Sequence, residues 1–288
     1  MKIFRKEQKL GGWKYFYFCG VKVWSTYRQP SIPDFSYDVM KFKGLQRANN
    51  IENIILGSSH GRDGFVPRVG DYNLSNSSQD LYRACKLYEY TIKHKNKHIK
   101  NVILFWSVFH PGLQLERTKN FQMCVPYKAL YGIDYACEFP TDDAPAINKI
   151  NQLMQTIECP DDFYGQSMYN INHNAATPIL VDKHVKNTTR NNNQIQYLEQ
   201  IVQNARKNKH NVYIVLPPYR SDYLAHLPKD TEIFSELYLF LEQNPDIVLI
   251  NLQNDTDFLD SDFESADHCN VDGGLKLTAK IKSALKKC

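Results

Sequence analysis

The stretch Asn53-Ile54-Ile55-Leu56-Gly57-Ser58-Ser59-His60-Gly61 decides the fold class. Its apolar run is too short for a helix and does not alternate with polar residues, so it reads as a strand buried on both faces. Gly57 breaks the strand, a polar loop follows, and a helix is expected from about Gln79 to His94. Leu81, Ala84, Cys85, Tyr88 and Ile92 fall on one face of that helix at 3.6-residue spacing.

The same alternation recurs downstream. A second apolar strand, Val102-Ile103-Leu104-Phe105-Trp106, ends near Pro111. Later come a helix over Gln194–Lys207, the strand Val212-Tyr213-Ile214-Val215-Leu216 stopped by Pro217-Pro218, and a helix over Thr231–Gln243. The strand Ile247-Val248-Leu249-Ile250, a polar loop and a last helix from about Gly274 to Lys286 complete the series. Strand-then-helix units with continuously apolar strands imply an α/β fold whose parallel sheet is covered on both faces. Functional groups in such folds lie beyond the carboxyl ends of the strands.

Two regions interrupt this pattern. Residues 112–191 carry few periodic signals and exceed an ordinary connection, so they are expected to be a lid or substrate-specific insertion with helix near Ala146–Ile157. Residues 1–30 form a basic, aromatic block in which Lys2, Arg5, Lys6, Lys9, Lys14, Lys22 and Arg28 face a single acid, Glu7. Gly11-Gly12 and Gly20 are placed to turn short strands around Trp13–Phe18 and Val21–Trp24, which predicts a hairpin. Basic charge with Trp and Tyr suits an anionic membrane surface; an edge hairpin packed on the main domain satisfies the same pattern. The domain expectation is therefore a block at 1–30 and a catalytic domain over 50–288.

Bulk properties narrow the function classes. With 35 basic and 31 acidic residues the charge is too balanced to announce nucleic acid, and no nucleic-acid-binding signature occurs. The seven cysteines are odd in number and lack a CxxC pair, which fits reduced thiols. No apolar stretch reaches the roughly 18 residues that span a bilayer, and the amino terminus lacks a signal-peptide pattern. A cytoplasmic protein, with residues 1–30 at the inner membrane face, is the expectation. Nucleotide loops and the HExxH zinc motif are absent, and His94 and His98, at i, i+4 spacing among lysines, read as a solvated helix end; no metal is expected.

Two loops carry the candidate chemistry. Ser59 follows the first buried strand, where a hydroxyl projects from the sheet edge as a nucleophile would. His268, in Asp267-His268-Cys269-Asn270-Val271-Asp272-Gly273-Gly274, lies between the last strand and the last helix at the same edge, within reach of Ser59.

A strand followed by GxS, a His in an Asp/His/Asn/Gly loop before the final helix, and parallel strands between them resemble the SGNH, or GDSL-like, hydrolase and acyltransferase superfamily over roughly Asn53 to Lys286. The resemblance implies a three-layer α/β/α sandwich with a mostly parallel, flavodoxin-like sheet. It implies Ser59 as nucleophile, with Ser58 in place of the family's Asp, and His268 as general base. In Asn73-Leu74-Ser75-Asn76-Ser77-Ser78, it implies that Ser78 stands where the family has an oxyanion-donating Gly, with Asn76 as a nearby donor. The Asn expected after the second strand is missing from Trp106-Ser107-Val108-Phe109-His110; Phe109 occupies about that place, with Ser107 or His110 as substitute donors. Position 265, where the family's Asp would stand, is Ser, which leaves Glu264, Asp262 or Asp267 to orient the imidazole, Asp267 being preferred.

The loop Gly61–Pro67, the run Asn73–Leu81 and Pro217-Pro218-Tyr219-Arg220 are similar to a bacterial subgroup associated with surface polysaccharides, and the basic leader is similar to that of polysaccharide-assembly enzymes. The expectation is serine-dependent acyl transfer, as O-acyltransferase or esterase, on a saccharide or lipid-linked polysaccharide precursor. Acyl-CoA is a candidate donor substrate, with no bound cofactor, and Arg62 and Tyr219 are candidate substrate contacts. The alternatives are a glycosyl or phosphoryl transferase and a non-catalytic assembly protein.

Overall fold

In the computed structural model, which describes residues 3–28, 30–167, 177–188 and 193–286, the amino-terminal block folds as an antiparallel sheet in the order β1 (Phe4–Gln8), β2 (Trp13–Phe18), β3 (Val21–Tyr27). The expected hairpin thus gains a third strand. Gly11 and Gly12, both at positive φ, join β1 to β2, while Cys19-Gly20 joins β2 to β3. Phe4 pairs with Phe18 and Phe16 with Trp24 across the sheet, the aromatic cross-strand contact that makes so short a sheet cohere.

The chain continues through α1 (Ser36–Arg47), β4 (Asn53–Gly57), α2 (Ser59–Gly64), β5 (Asp71–Asn73), α3 (Leu81–Lys95) and β6 (Asn101–Phe105). Then follow α4 (Val125–Tyr131), α5 (Ala144–Thr156), α6 (Thr177–Thr188), α7 (Ile195–Asn208), β7 (Asn211–Leu216), α8 (Ser221–Leu224), α9 (Asp230–Ile233), α10 (Ser235–Gln243), β8 (Val248–Asn251) and α11 (Val271–Leu285). Two compact units result, Met1–Val39 with Gln114–Ile157, and Met40–Leu113 with Glu158–Cys288.

The insertion expected over 112–191 therefore divides. Residues 114–157 share a unit with the amino-terminal sheet, with a small core of Phe35, Val39, Val125, Ala146 and Ile150. Residues 158–167 and 177–188 belong with the larger unit, and 168–176 and 189–192 lie outside the described residues. The helix expected over Thr231–Gln243 is broken into α9 and α10 around Phe234, whose ring is fully buried.

The larger unit is built on a five-stranded parallel sheet of order β5-β4-β6-β7-β8. Alternate strand residues serve opposite faces. Ile55, Ile103, Phe105, Tyr213, Val215 and Ile250 pack with Phe65 and with Leu277 and Ile281 of α11. Ile54, Leu56, Val102, Leu104 and Ile214 are fully or almost fully buried on the other face, where α3 meets β4 and α7 meets β7. Each fully buried Ile or Leu contributes roughly 1.5–3 kcal/mol, which is why the strands are apolar throughout. This is the α/β/α sandwich with the expected flavodoxin-like strand order, whose topological switch point lies between β4 and β6.

Gly57 sets the chain direction at that point. Its φ is 118°, and a Cβ there would lie 2.4 Å from the Phe105 carbonyl oxygen. Its amide donates to Gln79 Oε1 at 2.8 Å, and its carbonyl accepts from the Asn76 amide at 3.0 Å. Gly57→Ala combines a disfavoured backbone with a clash against main chain, so it should lower the unfolding free energy by about 3 kcal/mol, read as a fall in denaturant midpoint.

Candidate active site

Ser58 precedes α2 and accepts the helix's first backbone bonds, from the amides of Gly61 and Arg62. Ser59 therefore opens α2, where the helix itself provides no partner for the first amides. Ser58 is fully buried while Ser59 is partly exposed, so Ser59 is the accessible hydroxyl of the pair.

The partner comes from a tight loop. An antiparallel bridge between Phe263 and Cys269 closes residues 264–268, with the Glu264 amide donating to the His268 carbonyl at 3.0 Å. Gly273 lets α11 approach the loop base, since a Cβ there would lie 2.1 Å from the Asp262 carbonyl oxygen. The loop brings His268 Nε2 to 2.8 Å from Ser59 Oγ. On the other side of the ring, Nδ1 lies 3.0 Å from Asp267 Oδ1 and 3.1 Å from Ser265 Oγ. With Nδ1 donating to the carboxylate, Nε2 accepts from the serine, the order of a Ser-His-Asp relay.

The three carboxylates left open by the sequence separate clearly. Asp267 is buried and contacts the imidazole. Asp262 accepts from Lys276 at 2.6 Å and from the Leu259 amide, and Glu264 is exposed.

His60, given no role by the sequence reading, sits against the same carboxylate. Its Nε2 lies 3.2 Å from Asp267 Oδ2, and its ring stacks on that of His268 at 4.9 Å between centroids. Its Nδ1 is 2.7 Å from Ser107 Oγ, which is 2.5 Å from Ser58 Oγ. Nδ1 thus accepts from a hydroxyl, and Nε2–H is left to donate to Asp267. A single carboxylate is held between two imidazoles and also accepts from Ser265 Oγ at 3.2 Å. The only local signal for His60 was its position beside Ser59.

Burial separates the histidines chemically. It depresses His60, although the bond to Asp267 partly opposes it. Burial pushes His110 down to about 3 against its bond to the Gln79 carbonyl, and His184 down to about 3 against the pull of Asp267. For His268, burial also favours the neutral ring, but the Asp267 charge and hydrogen bond outweigh it and the pKa is raised. Burial alone would raise Asp267; the charge on His268 and the hydrogen bonds to both rings instead hold it well below the usual carboxylate range. Among these four rings, His268 alone is tuned toward taking a proton. Burial pushes the neighbouring Cys269 thiol up to about 12, which disqualifies it as a nucleophile.

The remaining candidates are placed differently from expectation. Ser107 serves the Ser58–His60 network, its hydroxyl committed to those two residues. His110 accepts from the Ser107 amide at 3.0 Å and donates to the Gln79 carbonyl at 3.1 Å, so both nitrogens brace the scaffold and neither is available to an oxyanion. Arg62 makes a bidentate bond to Asp63, at 2.7 and 2.8 Å, and a further bond to Ser77 Oγ, which neutralises it as a substrate clamp. Tyr219 is buried edge-on against His60, at 5.6 Å, and stacked on Tyr223. Asn76 Oδ1 accepts from the Ser77 amide at 2.8 Å. Ser78 has a φ of 53°, the left-handed region that favours glycine, at the position aligned by resemblance with a Gly. Phe109, in the place of the missing Asn, lies over His60 at 6.2 Å and against His184 at 5.1 Å. There it lines the histidine cluster with carbon.

Ligand atoms of His60, Asp267 and His268 lie within 4.8 Å of one another, so the trio also has the spacing of a metal site. Each atom pair at hydrogen-bond distance already joins a donor to an acceptor, the pattern of a proton relay.

No family model matches the chain, and no curated protein is similar to it at a significant level. Solved structures similar to it include a Bacteroides fragilis protein named an acylhydrolase, with 10% identity and a TM-score of 0.45 over 88% of this chain and 98% of that one. Another is a GDSL-like lipase from Bacteroides thetaiotaomicron, with 10% identity and a TM-score of 0.43 over 88% of this chain and 99% of that one. At this degree of likeness the chemistry is read from the side chains themselves.

The raised His268 pKa fixes the sign of the pH response. If the neutral imidazole of His268 is the general base, kcat/KM should fall with acidification through a midpoint above about 6.5. In Asp267→Asn the two main opponents of burial are lost and only the Asp63 charge still favours the protonated ring, so the midpoint should fall relative to the wild type while the plateau drops roughly 10²–10⁴-fold. A pH–rate profile of both proteins on one activated ester checks this.

Proposed function

We propose that this chain is a serine-dependent acyl-transfer enzyme in which Ser59 is the nucleophile, His268 the general base and Asp267 the group that orients it. The carrying observation is the 2.8 Å contact from Ser59 Oγ to His268 Nε2, with Asp267 on the opposite ring nitrogen.

Ser59 Oγ attacks the acyl carbonyl carbon as its proton passes to His268 Nε2. Negative charge develops on the carbonyl oxygen, where the opening amides of α2 and the Ser78 turn are the proposed donors. Collapse expels an alcohol, or the thiol of an acyl-CoA donor, which takes the proton from His268 and leaves an acyl-Ser59 ester. Water or a sugar hydroxyl then attacks the ester as its proton passes to His268, and collapse releases Ser59, whose Oγ takes that proton back from His268 Nε2. Water makes the reaction an esterase, and a sugar hydroxyl makes it an O-acyltransferase. The acceptor class, a hydroxyl of a bacterial surface-polysaccharide precursor, is supported by the resemblance of Gly61–Pro67, Asn73–Leu81 and Pro217–Arg220.

Turnover of an activated aryl ester should fall at least about 10³-fold in Ser59→Ala and in His268→Ala, and the double variant should be no worse than either single one. The same assay tests the metal reading of the His60–Asp267–His268 trio, since a proton relay should keep full activity after dialysis against EDTA. Loss of activity that zinc restores would replace the serine mechanism with metal-assisted hydrolysis.

A further inference from the structure

The amino-terminal sheet carries a feature that acyl transfer does not use. Ile3, Phe4, Val21, Val23 and Trp24 are between 61% and 74% exposed, an unusual concentration for one small sheet. Phe4, Lys6, Phe16, Val23, Trp24 and Thr26 line an apolar groove of about 580 Å³. The strand register shifts between Phe16 and Tyr17, opposite Lys22–Trp24.

Cations flank this apolar surface: Lys6, 6.0 Å from the Phe16 ring centroid, and Lys14 lie on the face of Phe4, Phe16 and Trp24, and further basic residues lie on the reverse face. On that reverse face Arg5 lies 4.3 Å from the Tyr17 ring centroid and Lys22 lies 4.6 Å from that of Tyr15. The one acid, Glu7, is already engaged by Lys9 and by the Tyr17 hydroxyl at 2.9 Å. Seven of the chain's 35 basic residues but only one of its 31 acidic residues lie in the first 28, so the rest of the chain is slightly acidic and the positive charge is concentrated in this amino-terminal segment.

We infer that this sheet is a docking surface for the interface of an anionic phospholipid bilayer. Nucleic acid or an anionic glycan would satisfy the cations but leave Phe4, Val23 and Trp24 in water. A second copy of the sheet would cover the apolar residues but set like charges together. A bilayer with anionic headgroups matches both, taking the aromatic and aliphatic side chains at the acyl boundary and the lysines among the headgroups. Among the described residues no helix is long and apolar enough to cross a membrane, so the attachment is peripheral.

The test is co-sedimentation of the full chain with vesicles of phosphatidylcholine alone and of three parts phosphatidylcholine to one part phosphatidylglycerol. Partitioning is expected only to the anionic vesicles and should weaken as salt rises. Lys6→Ser and Lys14→Ser should each lower the partition coefficient about fivefold, and Phe4→Ser with Trp24→Ser should abolish binding at every salt concentration. An unchanged thermal midpoint shows that each variant is folded, independently of any catalytic reading. Equal partitioning to both vesicle types, or wild-type partitioning in all variants, overturns the inference. So does a dimer that Trp24→Ser dissolves with no vesicle binding by the wild type, which would make the face a contact between copies.

Discussion

A carboxylate in a nearly dry interior costs several kcal/mol unless every lone pair finds a donor. Asp267 meets that demand by sharing its two oxygens between His268, His60 and Ser265. These donors come from different parts of the fold: His60 from the helix after β4, His268 and Ser265 from the loop before α11, and, through His60, Ser107 from the end of β6. The electrostatic need of one side chain therefore gathers the ends of three distant segments at the switch point of the sheet. The same arrangement decides which histidine is basic. Burial neutralises His60, His110 and His184, and only the ring whose free nitrogen faces Ser59 has its proton affinity raised.

The sheet was legible because its information is local. Runs such as Val102–Phe105 and Val212–Leu216 are apolar without alternation, and only a strand covered on both faces uses such a run. Short elements held by tertiary contact were not legible. The three-residue β5 is defined by pairing with β4, and α2 is a six-residue helix whose glycines argue against helix on propensity alone. At the other end of the chain, β1 is not legible in the sequence because Phe4–Gln8 is mostly charged and amide-bearing, and becomes a strand by pairing with β2.

The site divides along the same line. The meeting of Ser59 and His268 is legible in the sequence because each sits at the carboxyl edge of a readable strand or before a readable helix. The preference for Asp267 over Asp262 and Glu264 gains its geometry from the loop that the Phe263–Cys269 bridge closes, a contact no spacing rule encodes. Ser107, His110 and Arg62 looked available because a sequence does not display what satisfies a polar group. In the folded chain Ser58, Gln79, Asp63 and Ser77 have already done so. Conversely, His60 gained its place from a carboxylate more than two hundred residues away.

The central claim is that Ser59 is a nucleophile activated through His268, and an alkyl fluorophosphonate reads it directly, because phosphorus takes the activated serine oxygen as fluoride leaves. Intact-mass and peptide analysis of the wild type should show one adduct, on Ser59, with labelling suppressed in His268→Ala. An adduct on another residue, or undiminished labelling of Ser59→Ala, would contradict the account.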